Sequence, residues 1–175
     1  RQANLAEGTV YLYFKNKQAL LMAAVSDFYD ELTHDAQSVV QVDPDTLTKL
    51  TNLARLHFER VLDEWPLISE AMGPYLSSAR YRETEAFVLN RRYVEVFDLV
   101  VRDGINCGDI RADLEISTMR NAFYGGLEHC ARSARLRAKS LDSGFEVEDF
   151  LSIFTAGIMA RPETSGKSLD DGALL

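Results

Sequence analysis

The chain has 175 residues, of which 46% are hydrophobic and 26% charged, proportions that are ordinary for a globular protein. A net charge of −8 argues against a protein that binds nucleic acid over its whole surface. The charge is uneven, because residues 1–17 hold three cations and one carboxylate, a net +2, which leaves −10 for the other residues. A basic tip on an acidic body suits a protein that touches DNA with one end.

Composition and residue spacing exclude several other classes of protein. Strand-like alternation is scarce and the chain has only four prolines, which favours an all-α fold. Cys107 and Cys130 lack the spacing of a zinc knuckle or a redox pair. No apolar run approaches the roughly 18–20 residues that span a bilayer, and no secretory signal is visible. We therefore expect a cytoplasmic protein that binds no membrane.

Apolar spacing predicts a series of helices along the chain. A tight turn at residues 3–5 precedes a short helix, and Asn16 is a good N-cap for the longer helix that follows it. The longer helix has an apolar stripe formed by Leu21, Val25, Phe28 and Leu32. In chain order, the predicted helices span 6–14, 17–37, 46–63, 66–72, 78–103, 114–139 and 147–160.

Two prolines, each with the residue before it, and one glycine are expected to set three of these boundaries. Trp65-Pro66 and Gly73-Pro74 are expected to end helices, because the residue before a proline disfavours helical backbone. Gly104 is expected to end the helix at 78–103.

The stretch 3–21, ANLAEGTVYLYFKNKQALL, resembles the DNA-recognition signature of TetR-family transcriptional regulators. Further along, CGDIRADLE and the glycine-containing helix after it are similar to the ligand-binding body of that family, so the resemblance covers about residues 3–160. Nine positions of the signature match in order: Gly8, Thr9, Val10, Tyr11, Tyr13, Phe14, Lys17, Leu20 and Leu21.

The resemblance implies a partial helix-turn-helix head on a helical-bundle body. Residues 1–38 would be the C-terminal part of the DNA-binding domain with its connector helix, and residues 39–160 the effector-binding and dimerisation domain. Residues 161–175 read as a disordered polar tail. Residue 1 is Arg rather than Met, and a helix-turn-helix needs a positioning helix before its recognition helix. We therefore expect an N-terminally truncated chain that binds DNA poorly by itself.

The DNA contacts that the resemblance implies lie at the front of the chain. Lys17 follows the Asn16 cap, where a cation opposes the helix dipole at a cost of up to about 1 kcal/mol. That position is reasonable if a DNA phosphate docks at the helix N-terminus. Glu7 departs from the family pattern and either reads a cytosine amino group or balances the dipole. The candidate DNA-binding residues are Glu7, Gly8, Thr9, Tyr11, Leu12, Tyr13 and Lys17.

The resemblance also implies an effector cavity inside the body, between the helices at 46–63, 66–72, 78–103 and 114–139. For each candidate the alternative is an ordinary position in the core or on the surface. The wide apolar arc of these helices favours a small, largely apolar effector. The segment AEGTVYLYFKNK is similar to TetR-type regulators of fatty-acid degradation, which implies acyl-CoA or a fatty-acid derivative. The candidates are His57, Phe58, Met72, Tyr75, Arg92, Tyr93, Phe97, Phe123 and Leu127.

The last two helices resemble the two-fold four-helix dimer interface of the family. The pair Gly125-Gly126 costs about 1 kcal/mol per glycine relative to alanine, which suggests that another backbone approaches closely there. Burial within one subunit is the alternative. The candidate dimer residues are Met119, Ala122, Gly126, Cys130, Phe154, Gly157 and Ile158.

Together these features predict a ligand-responsive DNA-binding regulator, a homodimeric repressor that its effector releases from operator DNA. An enzyme is disfavoured because His34, His57 and His129 are scattered and none forms a metal-binding pair such as HExxH. We expect no cofactor and no metal. The alternative is a dimeric helical small-molecule-binding module that does not bind DNA.

Overall fold

The computed structural model of the chain describes residues 14–76, 79–136 and 144–160. Within these ranges the chain is helical, and an isolated β-bridge joins Ile110 to Met159. The predicted all-α fold class is confirmed. The helices are α1 (Lys17–Gln41), α2 (Thr46–Leu76), α3 (Glu85–Cys107), α4 (Ile116–Leu136) and α5 (Gly144–Ile158), with a 3-10 turn at Tyr81–Glu83 before α3.

Helix α1 begins where the sequence predicts. The Asn16 side chain accepts a hydrogen bond from the Ala19 backbone N–H at 2.8 Å, which satisfies one of the free donors of the first turn. The helix continues to Gln41, four residues beyond its predicted end. Its buried face packs against α2 and α3 and is formed by Val25, Phe28, Tyr29, Leu32, Thr33 and Ala36.

Helix α2 is one continuous helix of 31 residues. The prediction that Trp65-Pro66 and Gly73-Pro74 end helices is therefore wrong. An interior proline removes one helical hydrogen bond and crowds the preceding turn, at a cost of about 3 kcal/mol. Burying a single large apolar side chain contributes about 1.5–3 kcal/mol, so packing along the helix outweighs the prolines. The buried apolar side chains described in α2 are Leu50, Leu53, Ala54, Phe58 and Met72.

Helix α3 is shifted relative to its prediction at both ends. It begins at Glu85, where the Thr84 hydroxyl accepts from the Phe87 N–H at 3.2 Å. It passes through Gly104 and ends before Gly108, which has a φ of 84° and so adopts the left-handed conformation that glycine tolerates. Gly104 has a different role, since a Cβ there would lie 2.8 Å from Cδ1 of Ile110.

Aromatic rings join the C-terminal helices into one core. Phe97 of α3 and Phe123 of α4 have ring centroids 4.7 Å apart, and Phe123 lies 5.2 Å from Phe154 of α5. The end of α5 is tied to the loop after α3, because the Ala160 N–H donates to the Asp109 carbonyl at 2.8 Å. Among the described residues, no helix combines the length and apolarity needed to cross a membrane.

Candidate effector site

A cavity of about 390 Å³ lies between α1, α3 and α4, and His57 of α2 also lines it. Its wall combines aromatic and aliphatic side chains with polar and charged ones. This volume is within the usual range of small-molecule sites, about 300–1,000 Å³. The lining residues are Phe28, Tyr29, Leu32, His57, Phe87, Asn90, Arg91, Tyr93, Val94, Arg120, Asn121, Tyr124, Gly125 and Glu128.

Two of the nine predicted effector residues, His57 and Tyr93, line this cavity. Arg92 lies outside its wall and forms an ion pair with Asp30 on the surface. The side chain of Tyr75 is outside the part of the chain that the structure describes. The other five are buried in the core and do not belong to the cavity wall: Phe58, Met72, Phe97, Phe123 and Leu127.

The contribution of α1 to the wall was missed at the sequence level. Phe28, Tyr29 and Leu32 lie on the buried face of α1, next to or within the apolar stripe read from the sequence. A periodic pattern identifies which face of a helix is buried, but a side chain that meets another side chain and one that meets a cavity give the same pattern. Only the positions of α3 and α4 show which side chains of α1 meet the cavity.

The buried rings of His57, Tyr93 and Tyr124 pack together in the cavity wall. The Nδ1 atom of His57 is 2.9 Å from the Tyr93 hydroxyl, and the two rings are stacked with centroids 5.8 Å apart. Tyr124 meets His57 edge to face at 4.8 Å. Burial lowers the pKa of His57 to about 3 and raises the pKa of both tyrosines above its ordinary value. All three rings are therefore neutral near pH 7.

Two arginines of the wall are held by one buried carboxylate. Asp98, only 1% exposed, accepts from Arg120 at 2.5 Å and from Arg91 at 3.3 Å, in both cases through Oδ2. Each guanidinium has five N–H donors, so the pair retains donors beyond those that Asp98 accepts. The group carries a net positive charge. It is suited to orient the polar or anionic end of a molecule whose apolar part contacts the aromatic wall.

Glu128 adds a carboxyl group to the wall, and partial desolvation there raises the pKa of that carboxyl. Among the residues that the structure describes, no group of three or more His, Cys, Asp or Glu side chains could hold a metal ion.

Comparison with known proteins identifies the architecture. No family model matches the chain. The chain is similar to a curated relative, the fatty acid metabolism regulator protein of Bacillus subtilis (strain 168), with 22% identity over 159 residues, 90% of this chain and 81% of the relative. It is similar to the solved structure of the transcriptional regulator FadR from Bacillus subtilis in complex with stearoyl-CoA, with 22% identity and a TM-score of 0.73 over 90% of this chain and 84% of the other.

A third likeness is to a TetR family transcription regulator from Marinobacter aquaeolei VT8, with 17% identity and a TM-score of 0.69 over 90% of this chain and 80% of the other. The chain has the TetR-family fold. The resemblance inferred from the sequence is confirmed at this level.

The structure describes the N-terminal end of the chain only from Phe14 onward. Six of the residues predicted to bind DNA therefore lie outside the described residues: Glu7, Gly8, Thr9, Tyr11, Leu12 and Tyr13. Lys17 is in the first turn of α1, and its Nζ atom is 2.5 Å from Oε1 of Glu70 in α2. Both side chains are more than half exposed.

The residues predicted for the dimer interface of this TetR-family fold occupy two kinds of position. Three of them, Met119, Phe154 and Ile158, are buried within the chain. Gly126 and Cys130 are half-buried. Ala122 and Gly157 lie on the exposed surface of α4 and α5.

Proposed function

We propose that this protein is a ligand-responsive DNA-binding transcriptional regulator, released from its operator when a small molecule fills the cavity between α1, α3 and α4. One observation carries the proposal. Helix α1, which directly follows the segment that resembles a recognition helix, supplies Phe28, Tyr29 and Leu32 to the cavity wall. A ligand that presses on this wall therefore acts on the element that carries the DNA-binding end.

The coupling has a simple physical form. A dimer that reads two half-sites needs its recognition helices about 34–36 Å apart, one turn of DNA. A molecule wedged between α1 and the pair α3–α4 tilts α1 and changes this spacing. The effector must then bind the DNA-free form more tightly, by the same free energy by which it weakens operator binding. A coupling of about 1–3 kcal/mol corresponds to a 5- to 150-fold loss of operator affinity.

The wall favours an effector with an apolar part and a polar end. Phe28, Leu32 and Phe87 offer apolar contact, while Arg91 and Arg120 offer N–H donors and positive charge. The curated relative is described as a regulator of fatty acid metabolism, and the FadR structure contains stearoyl-CoA. Acyl-CoA or a fatty-acid derivative is therefore the effector class that we propose.

We propose a homodimeric repressor that pairs through the exposed face of α4 and α5. Ile153 of α5 is 77% exposed, an unusual position for a large apolar side chain, and Ala122 and Gly157 are exposed on the same two helices. Small side chains would let the helices of two subunits approach closely. The division into residues 1–38 as the DNA-binding part and 39–160 as the sensor and dimerisation part belongs to the same proposal.

The experiment uses protein with a complete helix-turn-helix and an operator selected from random DNA. Operator affinity is measured by fluorescence anisotropy with increasing stearoyl-CoA. The cavity-filling variant Gly125→Leu should keep operator affinity and lose most of the response, because Gly125 lines the cavity and a Cβ there meets no atom within 4 Å.

Thr118→Leu is the matched control, on an exposed position of α4 outside the wall, and it should respond like the wild type. An unchanged response in Gly125→Leu contradicts the proposal. If no DNA is selected, the protein is instead a binding module without DNA contact.

A further inference from the structure

His57 is a buried polar residue whose hydrogen bonding is incomplete. It lines the cavity and is 5% exposed. Its Nδ1 atom contacts the Tyr93 hydroxyl, whereas Nε2 is buried with no hydrogen-bond partner among the described residues. The Tyr124 ring that meets His57 edge to face offers an N–H at most a weak interaction. An unsatisfied buried polar atom is costly, so a partner at Nε2 would be strongly favoured.

The Tyr93 contact determines which atom of His57 carries the proton. A phenol hydroxyl is a better donor than the N–H of a neutral imidazole, and the bare imidazole nitrogen is a better acceptor than a phenol oxygen. If Tyr93 donates to Nδ1, the single proton of the neutral ring resides on Nε2. Because burial lowers the pKa of His57 to about 3, the ring does not gain a second proton near pH 7. In that arrangement the unpartnered atom is a neutral N–H donor.

We propose that His57 is the residue by which the cavity recognises a carbonyl group, with Nε2–H donating to the carbonyl oxygen of the bound molecule. The effector class is therefore an apolar molecule that carries a ketone, ester, thioester or carboxyl oxygen. This inference rests on the proposed function in that the same cavity is the effector site. It goes beyond that function by assigning the atom that selects the ligand.

The aromatic surroundings make the recognition selective. A buried N–H donor cannot be satisfied by a hydrocarbon of the same shape as the carbonyl compound. Tyr93 acts as the positioning residue, because its hydroxyl holds His57 in the tautomer that presents Nε2–H. Replacing Tyr93 by phenylalanine would leave the ring in place but allow the proton to move to Nδ1.

The test compares 2-decanone with 2-methyl-1-decene, which has C=CH₂ in place of C=O and nearly the same shape. Calorimetry gives the ketone-to-alkene affinity ratio for the wild type, His57→Phe and Tyr93→Phe. Hydration differences between the two probes cancel when this ratio is compared across variants. We expect His57→Phe to reduce the ratio by about 5- to 100-fold and Tyr93→Phe to reduce it by a smaller factor.

A second measurement needs no variant and so does not depend on the folding of His57→Phe. Nitrogen-15 NMR of the wild type should show His57 protonated on Nε2, and this N–H signal should shift with the ketone but not with the alkene. A proton on Nδ1, an equal ratio in wild type and His57→Phe, or no binding of either probe would overturn the inference. Release from the operator by stearoyl-CoA is measured in a separate experiment. A failure of the proposed regulator function can therefore be distinguished from a failure of the His57 proposal.

Discussion

Gly126 of α4 lies so close to Phe150 of α5 that a Cβ atom at position 126 would be 2.3 Å from Cε2 of the ring. The ring cannot easily move away, because it stacks on Phe154 with centroids 5.7 Å apart and meets Phe123 edge to face at 6.1 Å. The close approach that this glycine permits is therefore made within one subunit, between two neighbouring helices.

The first prediction concerns this contact. Gly126→Ala should destabilise the protein by about 0.5–2 kcal/mol, because overpacking costs about 1–3 kcal/mol and the better helix propensity of alanine returns up to about 1 kcal/mol. Urea denaturation at one fixed protein concentration measures the change. Gly125→Ala is the matched control, since a Cβ there meets no atom within 4 Å. That variant should be stabilised by about 0.4–1 kcal/mol, and equal effects of the two variants would refute the packing argument.

The second prediction tests the dimer surface. Ile153→Lys places a charge at the exposed apolar position of α5 and should shift the protein from dimer to monomer in size-exclusion chromatography with light scattering. Val88→Lys is the comparison, because Val88 is also apolar and 63% exposed but lies on α3. It should leave the dimer intact. A dimer that survives Ile153→Lys, or that dissociates in Val88→Lys, would place the interface elsewhere.

The third prediction concerns stability in acid. In the unfolded chain His57 has a pKa near 6.5, and in the folded protein burial lowers this pKa to about 3. Below about pH 6 the unfolded state therefore binds a proton that the folded state does not. From this group alone, the free energy of unfolding falls by about 1.4 kcal/mol for each unit by which the pH is lowered. Above pH 7.5 the contribution is complete and constant.

His57→Phe removes this titration. Denaturation curves at pH 5.0, 5.5, 6.0 and 8.0 should show an acid slope shallower by about one proton than that of the wild type. The value at pH 8.0 corrects for the general effect of the substitution on stability. Parallel curves for the two proteins would mean that His57 is protonated to the same extent in both states.

The fourth prediction concerns the DNA end. If Lys17 contacts a phosphate, Glu70 competes for the same ammonium group. Glu70→Gln should then raise operator affinity about two- to fivefold at low salt, in line with the energy of an exposed ion pair, up to about 1 kcal/mol. Lys17→Ala should lower affinity and flatten the dependence of log affinity on log salt by about one unit.

Glu148→Gln is the control for this pair of variants. Glu148 forms an ion pair with Arg55 at 2.5 Å and is about as exposed as Glu70, but it lies on α5. Its neutralisation should leave operator affinity nearly unchanged. An equal gain in both glutamate variants would indicate a general charge effect, and an unchanged salt slope in Lys17→Ala would remove Lys17 from the phosphate contacts.

Local signals in the sequence predicted the features that depend on local interactions. The Asn16 cap and the buried stripe of Val25, Phe28 and Leu32 follow from hydrogen bonding of the first turn and from helical periodicity. The TetR-family fold followed from the signature in residues 3–21. The path of α2 through Pro66 could not be predicted in this way, because its stability comes from packing against other helices.

The sequence also could not predict which residues line the cavity. Phe97 and Phe123 pack against each other, whereas Phe28 and Tyr124 face the cavity, although all four have the same helical setting and buried character. Cavity lining depends on how far apart three helices lie, which is a property of the whole bundle. His57 and Tyr93 were among the polar candidates on the helices that the resemblance places around the cavity.

Reciprocal titration measures directly the coupling between the cavity and the proposed DNA-binding end of the chain. The affinity of stearoyl-CoA is determined with and without saturating operator DNA, in protein that carries a complete helix-turn-helix. We expect DNA to weaken stearoyl-CoA binding by the same factor, about 5- to 150-fold, by which stearoyl-CoA weakens operator binding. Equal stearoyl-CoA affinities with and without operator would show that filling the cavity does not act on DNA binding, and would contradict the account.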